Sequence, residues 1–134
     1  MNIFIRWMTF NFVGALGTAV QLSVLALLDR LAPAHYLSTS AGAVELALLH
    51  NFLWHTRLTW ADRGGERRTR QLLRFHLSNG LISLGGNFAL MRLLVQARHL
   101  PVLVSSVVAI VCCGMVNFWL GDRWAFAESQ APIS

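Results

Sequence analysis

Lysine is absent from the 134 residues, and little else is present to keep a chain in water. Only 13% of the residues are charged against 55% hydrophobic, and mean hydropathy is +0.53. A soluble domain of this length needs a polar surface, and these residues cannot build one. Cysteine is limited to the adjacent pair Cys112-Cys113 inside an apolar run, which provides neither a disulfide framework nor a zinc site. The net charge of +5 comes entirely from arginine. The arginines gather where apolar runs end, so the pattern argues against nucleic acid and for anionic lipid headgroups. A Ser/His/Asp order, a phosphate-cradling glycine loop and a dinucleotide fingerprint are all missing. His50 and His55 stand five apart, one step too many to align as a metal pair on a helix. The expectation is therefore a protein that is not an enzyme, with no cofactor, no metal and no nucleic-acid partner.

What the chain does have is four apolar stretches. Phe10 to Leu28 carries no charge, Leu37 to Trp54 carries only Glu45, and Leu100 to Leu120 carries none. The third, Leu77 to Met91, is shorter; Leu72-Leu73 and Leu93-Leu94 extend it, and Arg74 and Arg92 stand near its ends. A spanning helix needs about 20 residues, so each stretch suffices or nearly so, the third by letting its arginines reach the interfaces. Pro33 and Pro101 stand just before or at the start of the second stretch of each pair, and the connectors around them are short. Each pair thus reads as a tight helical hairpin. The polar segment from His55 to Leu73 separates the pairs, with a turn at Gly64-Gly65. The expected fold is an all-α integral membrane protein, one domain over 1–134, with four transmembrane helices in two tandem hairpins. Repeat one covers about 6–60, a connector about 61–71, and repeat two about 72–126.

The halves say the same thing twice. Asn51-Phe52 is followed by Arg57 and Trp60, and Asn117-Phe118 is followed at the same steps by Arg123 and Phe126. Arg6-Trp7 and Arg74-Phe75 open the two halves. Arg6, Arg57, Arg63, Arg67, Arg68, Arg70, Arg74 and Arg123 fall on the side of the termini and the connector; Arg30, Arg92 and Arg98 fall on the other. Eight against three puts both termini and the connector in the cytoplasm. The hairpins are then parallel repeats.

Several residues are candidates for binding. Arg6, Arg57, Arg74 and Arg123 mark the cytoplasmic helix ends, each with an aromatic beside it or three residues on: Trp7, Trp60, Phe75 and Phe126. Guanidinium forks bind phosphate bidentately and rings sit well at headgroup depth, so these pairs suit a phosphorylated lipid. The alternative is that the arginines only orient the helices. Polar and small residues share helical faces: Asn11, Gly14, Thr18 and Gln21; Ser38, Gly42 and Glu45; Asn79, Ser83, Gly86 and Asn87; Ser106, Ala109, Cys113 and Asn117. Such faces pack helices together, while Asn11, Asn51, Asn79 and Asn117 are also suited to holding phosphate or sugar hydroxyls. Glu45, mid-stretch, costs about 2.5–3.5 kcal/mol as a carboxylate in lipid. It is a proton or hydroxyl site, a structural hydrogen bond between helices, or a position nearer water. Arg63, Arg67, Arg68 and Arg70 read as a solvated run near anionic lipid.

These motifs together resemble the GtrA-like family of small four-helix membrane proteins. The resemblance covers about Arg6 to Phe126: Arg6-Trp7, Val13-Gly14 and Thr18; Asn51-Phe52, Arg57 and Thr59-Trp60; Arg74-Phe75; Asn117-Phe118, Arg123-Trp124 and Phe126. Trp7 and Trp60 replace the family's phenylalanines, and Glu45 belongs to no family motif. The resemblance implies flipping of a polyprenyl-phosphate-linked sugar, such as an undecaprenyl one, across the bacterial inner membrane for cell-surface polysaccharide synthesis. Membrane glycosyltransferases would be partners. Four short helices do not easily enclose a polar path, so a homodimer is expected. Two rival readings are a non-transporting anchor for a glycosyltransferase and a small multidrug-type exporter. The arginine-aromatic pairs favour an anionic substrate over the latter.

Overall fold

The computed structural model describes residues 1–32, 36–63 and 67–127, the side chains of residues 36 and 37 aside. Pro33, Gly64 and Gly65 lie outside the described residues. The described chain is all helix, without a strand, and falls into two compact units, Met1–Asp62 and Arg63–Ser134.

The first unit is a hairpin of α1 (Ile3–Leu31) and α2 (Tyr36–Trp54), with a π-helical turn over His55–Thr59 closing α2. Asn2 starts α1 by accepting from the Phe4 N–H at 2.9 Å, which satisfies one of the four donors left open at a helix start. Arg30 in the last turn suits the negative end of the helix dipole. On α2 the buried positions are Thr39, Ala43 and Ala47, one every four residues. They meet α1, whose buried residues are Arg6, Val13 and Gly17. Small side chains on both helices let the backbones approach, which is how helices associate where lipid removes the hydrophobic drive.

The second unit repeats the plan. A continuous helix runs from Arg68 to Ala97. It comprises α3 (Arg68–Gly80), a π segment over Leu81–Gly86, α4 (Asn87–Met91) and a π segment over Arg92–Ala97. His99 reverses the chain with φ 54°, and the Leu100 N–H closes on the Leu94 carbonyl at 3.0 Å. Helix α5 (Val102–Leu120) then runs back, and a π turn over Gly121–Ala125 ends it beside α3. Its buried stripe is Ser105, Ala109, Cys113 and Asn117. Shifted by the step from Asn117 to Asn51, that stripe falls on Thr39, Ala43, Ala47 and Asn51. The duplication visible in the motif thus extends through the packed face.

The faces differ from the expected ones by one residue. Ser105, not Ser106, is buried, and Ser106 returns its hydroxyl to the Val102 carbonyl at 2.9 Å. On α2 the buried row is Thr39-Ala43-Ala47 while Ser38 and Glu45 are exposed. Small residues are frequent enough here to draw two neighbouring stripes, and only the partner helix selects one. Large apolar side chains cover the outside, among them Leu81, Leu84, Phe88, Leu103 and Ile110. Among the described residues, three helices are long and apolar enough to cross a membrane: Ile3–Leu31, Arg68–Ala97 and Val102–Ala125. Helix α2 is not among them, because Glu45, His50 and Asn51 interrupt its apolar sequence. Helix α3 starts at Arg68, inside the connector expected over 61–71.

At Gly17 an added Cβ would overlap the Asn51 amide; at Gly14 nothing lies within 4 Å. Gly17→Ala is therefore expected to destabilise the hairpin by about 1–3 kcal/mol through overpacking, and Asn51→Ala in the same chain to relieve it. Gly14→Ala should be neutral or better. Thermal unfolding in detergent measures all three, and equal stability of the two single alanine variants would contradict the packing.

Candidate functional site

Both hairpins end their second helix in the same way. The last α-helical carbonyls are orphans in any helix. Here a wide π turn brings an aromatic residue back under the helix, so that the Trp60 N–H bonds the His55 carbonyl at 2.8 Å and the Phe126 N–H bonds the Gly121 carbonyl at 2.9 Å. Trp60 and Phe126 also share a conformation, φ −125°, ψ 35° and φ −119°, ψ 31°. Both rings are 1% exposed. Trp60 packs edge-on to Phe10 (6.0 Å between centroids) and to His55 (5.2 Å), while Phe10 stacks on His55 at 4.9 Å. His55 Nδ1 and Thr59 Oγ1 are 2.9 Å apart, which secures the turn from inside. In the second hairpin Phe126 packs edge-on to Phe75 at 5.9 Å.

The turn sorts its residues. His55, Thr56, Thr59 and Trp60 are buried, as are Gly121, Asp122, Ala125 and Phe126. The two residues between are pushed outward: Arg57-Leu58 in one copy and Arg123-Trp124 in the other. Neither Arg57 nor Arg123 makes a hydrogen bond or ion pair with another described residue. Each hairpin thus presents one guanidinium and an adjacent apolar side chain from a rigid turn.

The opening arginines stand differently. Arg6 is only 5% exposed, and its Nη2 donates to Asp62 Oδ2 at 2.8 Å; the Met1 ammonium reaches the same oxygen at 3.2 Å. Arg74 donates from Nη1 to the Trp124 carbonyl at 3.2 Å and stands 5.8 Å above the Trp124 ring, steadying that side chain. Arg63 departs from the solvated loop expected for it. It forms an ion pair with Asp122 at 3.1 Å, donates to the Asp122 carbonyl, and donates to the Phe126 carbonyl at 3.2 Å. Its Nε is buried without a partner, a condition that costs about 1–3 kcal/mol for an ordinary donor and more for a charged one. Arg63, Asp122, Arg123 and Ala127 line a hollow of about 340 Å³. A larger hollow of about 560 Å³ near Phe88, Arg92 and Gln96 is mostly apolar and lies at the other end of this hairpin.

The amides mostly serve the helices. Asn11 donates to the Trp7 carbonyl at 2.8 Å and Asn79 to the Phe75 carbonyl at 3.3 Å, each within its own helix. Asn51 lies against Gly17, with its Oδ1 3.4 Å from His50 Nδ1. Asn117 donates to Ser83 Oγ at 3.3 Å, and its own Oδ1 is buried without a partner. Glu45 faces outward on α2. Among the described residues no three His, Cys, Asp or Glu gather as a metal site. The expected candidates did not include Asp62, Asp122, Arg63 or Phe10. Asp62, two residues past Trp60, and Asp122, next to Arg123, were the available signals.

The clasp in the first hairpin makes a pH prediction. Partial desolvation of Asp62 pulls its carboxyl upward, but the hydrogen bond from the Met1 ammonium and the Arg6 charge outweigh this and hold it below the usual carboxylate value. A depressed folded value means the clasp stabilises above the unfolded pKa and is lost as pH falls through the folded one. The first hairpin should therefore lose stability on acidification below about pH 4, and Asp62→Asn should flatten that dependence. Melting curves between pH 3 and 7 (roughly the carboxylate window) measure this; an unchanged slope in the variant would contradict the clasp.

A family model described as GtrA/DPMS, transmembrane domain matches residues 9–130. No curated protein gives a significant match to the chain. The matched span and the apolar helices make this a multi-pass membrane protein. The chain belongs to the GtrA/DPMS transmembrane-domain family, membrane proteins of polyprenyl-linked sugar processes.

Proposed function

We propose that the protein translocates a polyprenyl-phosphate-linked sugar across the bacterial cytoplasmic membrane for cell-surface polysaccharide synthesis or modification. The observation that carries the proposal is the pair of π turns, each holding an outward arginine, Arg57 or Arg123, beside an apolar neighbour. A prenyl phosphate has the matching parts: an anion to meet the guanidinium and a chain to remain in lipid. Family membership supports the substrate class. On this reading α2 is the fourth span, held in the bilayer by packing against α1 despite its polar residues. The termini and connector are cytoplasmic because eight of eleven arginines lie there. Arg6 acts through the Asp62 clasp, and Arg74 by steadying Trp124. Trp60 serves by closing the turn that presents Arg57. Asn11 and Asn79 contribute by holding their helices, and Asn51 and Asn117 by locking the hairpins. Anionic lipids are the surrounding partners, and membrane glycosyltransferases receive the flipped sugar.

A homodimer is expected because four short helices do not easily enclose a polar path; Glu45 is exposed on α2. Glu45→Gln is expected to abolish transport while expression and insertion continue; transport at the normal rate would remove Glu45 from the mechanism.

Purified protein in vesicles with a short-chain prenyl phosphoryl sugar tests the main proposal. Arg57→Gln and Arg123→Gln should each lower transport about 10–100-fold, the loss of one charge-assisted bond of about 1.5–3 kcal/mol. Binding without transport by the unmodified protein would instead support a glycosyltransferase anchor.

A further inference from the structure

We propose that Arg63, Arg123 and Asp122 form a pocket for a singly charged phosphodiester, with Asp122 setting the charge the pocket accepts. The inference rests on the lipid-phosphate reading above and names the headgroup chemistry within it.

Arg63 and Arg123 line one hollow of about 340 Å³ with Asp122 and Ala127. Arg63 is anchored rather than mobile: its two terminal nitrogens are taken by the carbonyls of Asp122 and Phe126 and by the Asp122 carboxylate. What remains of its fork is one N–H of Nη2 and the Nε, the latter buried and without a partner. Arg123, exposed on the π turn, has its whole guanidinium available. Two arginines and one aspartate leave one positive charge. A phosphodiester carries one negative charge, whereas a phosphomonoester carries about −1.5 to −2 at pH 7. In the poorly solvated headgroup layer, a neutral sum favours the diester, which is the bond type of a sugar linked to a prenyl phosphate.

The first hairpin shows that the π turn does not itself require this acid. The position matching Asp122 is Thr56, whose hydroxyl returns to the Leu53 carbonyl at 2.8 Å. There the aspartate, Asp62, is engaged by Arg6 instead. The carboxylate inside the turn is therefore particular to the second copy, and so is the pocket.

The test uses the full chain in zwitterionic nanodiscs with three probes: a short prenyl phosphoryl-glucose, the matching prenyl phosphate, and a phosphatidylglycerol of similar tail length. The unmodified protein should bind the two diesters more tightly than the monoester. Arg63→Gln should weaken diester binding at least about 10-fold. Asp122→Asn, which raises the pocket to two positive charges, should reverse the preference toward the monoester. An unchanged diester-to-monoester ratio in Asp122→Asn, or undiminished diester binding by Arg63→Gln, overturns the pocket. If Arg63→Gln does not fold, Asp122→Asn decides alone, since it keeps both carbonyl partners of Arg63. Arg63-dependent binding of phosphatidylglycerol equal to that of the prenyl diester supports a site for the diester group on any lipid; a prenyl preference supports the carrier lipid. Diester binding and transport that survive Arg63→Gln overturn the pocket alone, whereas no binding of either prenyl probe by the unmodified protein overturns the flippase reading with it.

Discussion

A membrane helix that ends at the interface must close its last carbonyls while holding a cation at headgroup depth. Lipid offers the backbone no partners, and an arginine that swings freely neither anchors nor recognises. Both hairpins meet this constraint with a π turn and a buried ring. The wide turn lets Trp60 and Phe126 fold back and donate to carbonyls five residues earlier. Burying those rings fixes the turn, and the fixed turn leaves Arg57 and Arg123 nowhere to go but outward. The tight packing beneath depends on the same geometry, because each turn continues the four-residue stripe of α2 or α5.

Duplication supplied two copies of this device, and the copies have diverged in how they settle charge. The first places its aspartate after the ring and couples it to Arg6 at the start of α1. This ties the two ends of one hairpin together. The second places its aspartate inside the turn and couples it to Arg63, which arrives from the connector. Outwardly the motif is the same; electrostatically, the first turn carries a lone cation and the second a cation beside a neutralised pair. On the proposed reading, it is the second end that distinguishes kinds of phosphate.

Composition made the membrane setting legible, and fixed steps between Asn, Arg and aromatic residues made the repeat legible, because both follow from what lipid permits. The site was legible only in part. Arg57 and Arg123 stood out as motif residues and are the outward ones. The π turns were not legible: one extra residue per turn leaves no compositional mark. Arg63 was hidden by its neighbours, since it begins a run whose other members are exposed, and its partner lies 59 residues away. The burial of Arg6 depended likewise on Asp62, distant in sequence and unremarkable by itself. On α2 a one-residue rotation separated the expected face from the real one, because alternating small residues satisfy both.

The proposed function requires Arg57 and Arg123, each outward on its own turn, to face the same side of the membrane and meet a lipid phosphate. Labelling with a membrane-impermeant thiol reagent tests this most directly, using Arg57→Cys and Arg123→Cys in a chain whose Cys112 and Cys113 are serine. Both positions are expected to react from the cytoplasmic side only, and to be protected by a prenyl phosphoryl sugar. Reaction of the two from opposite sides, or from the outer side, would contradict the account.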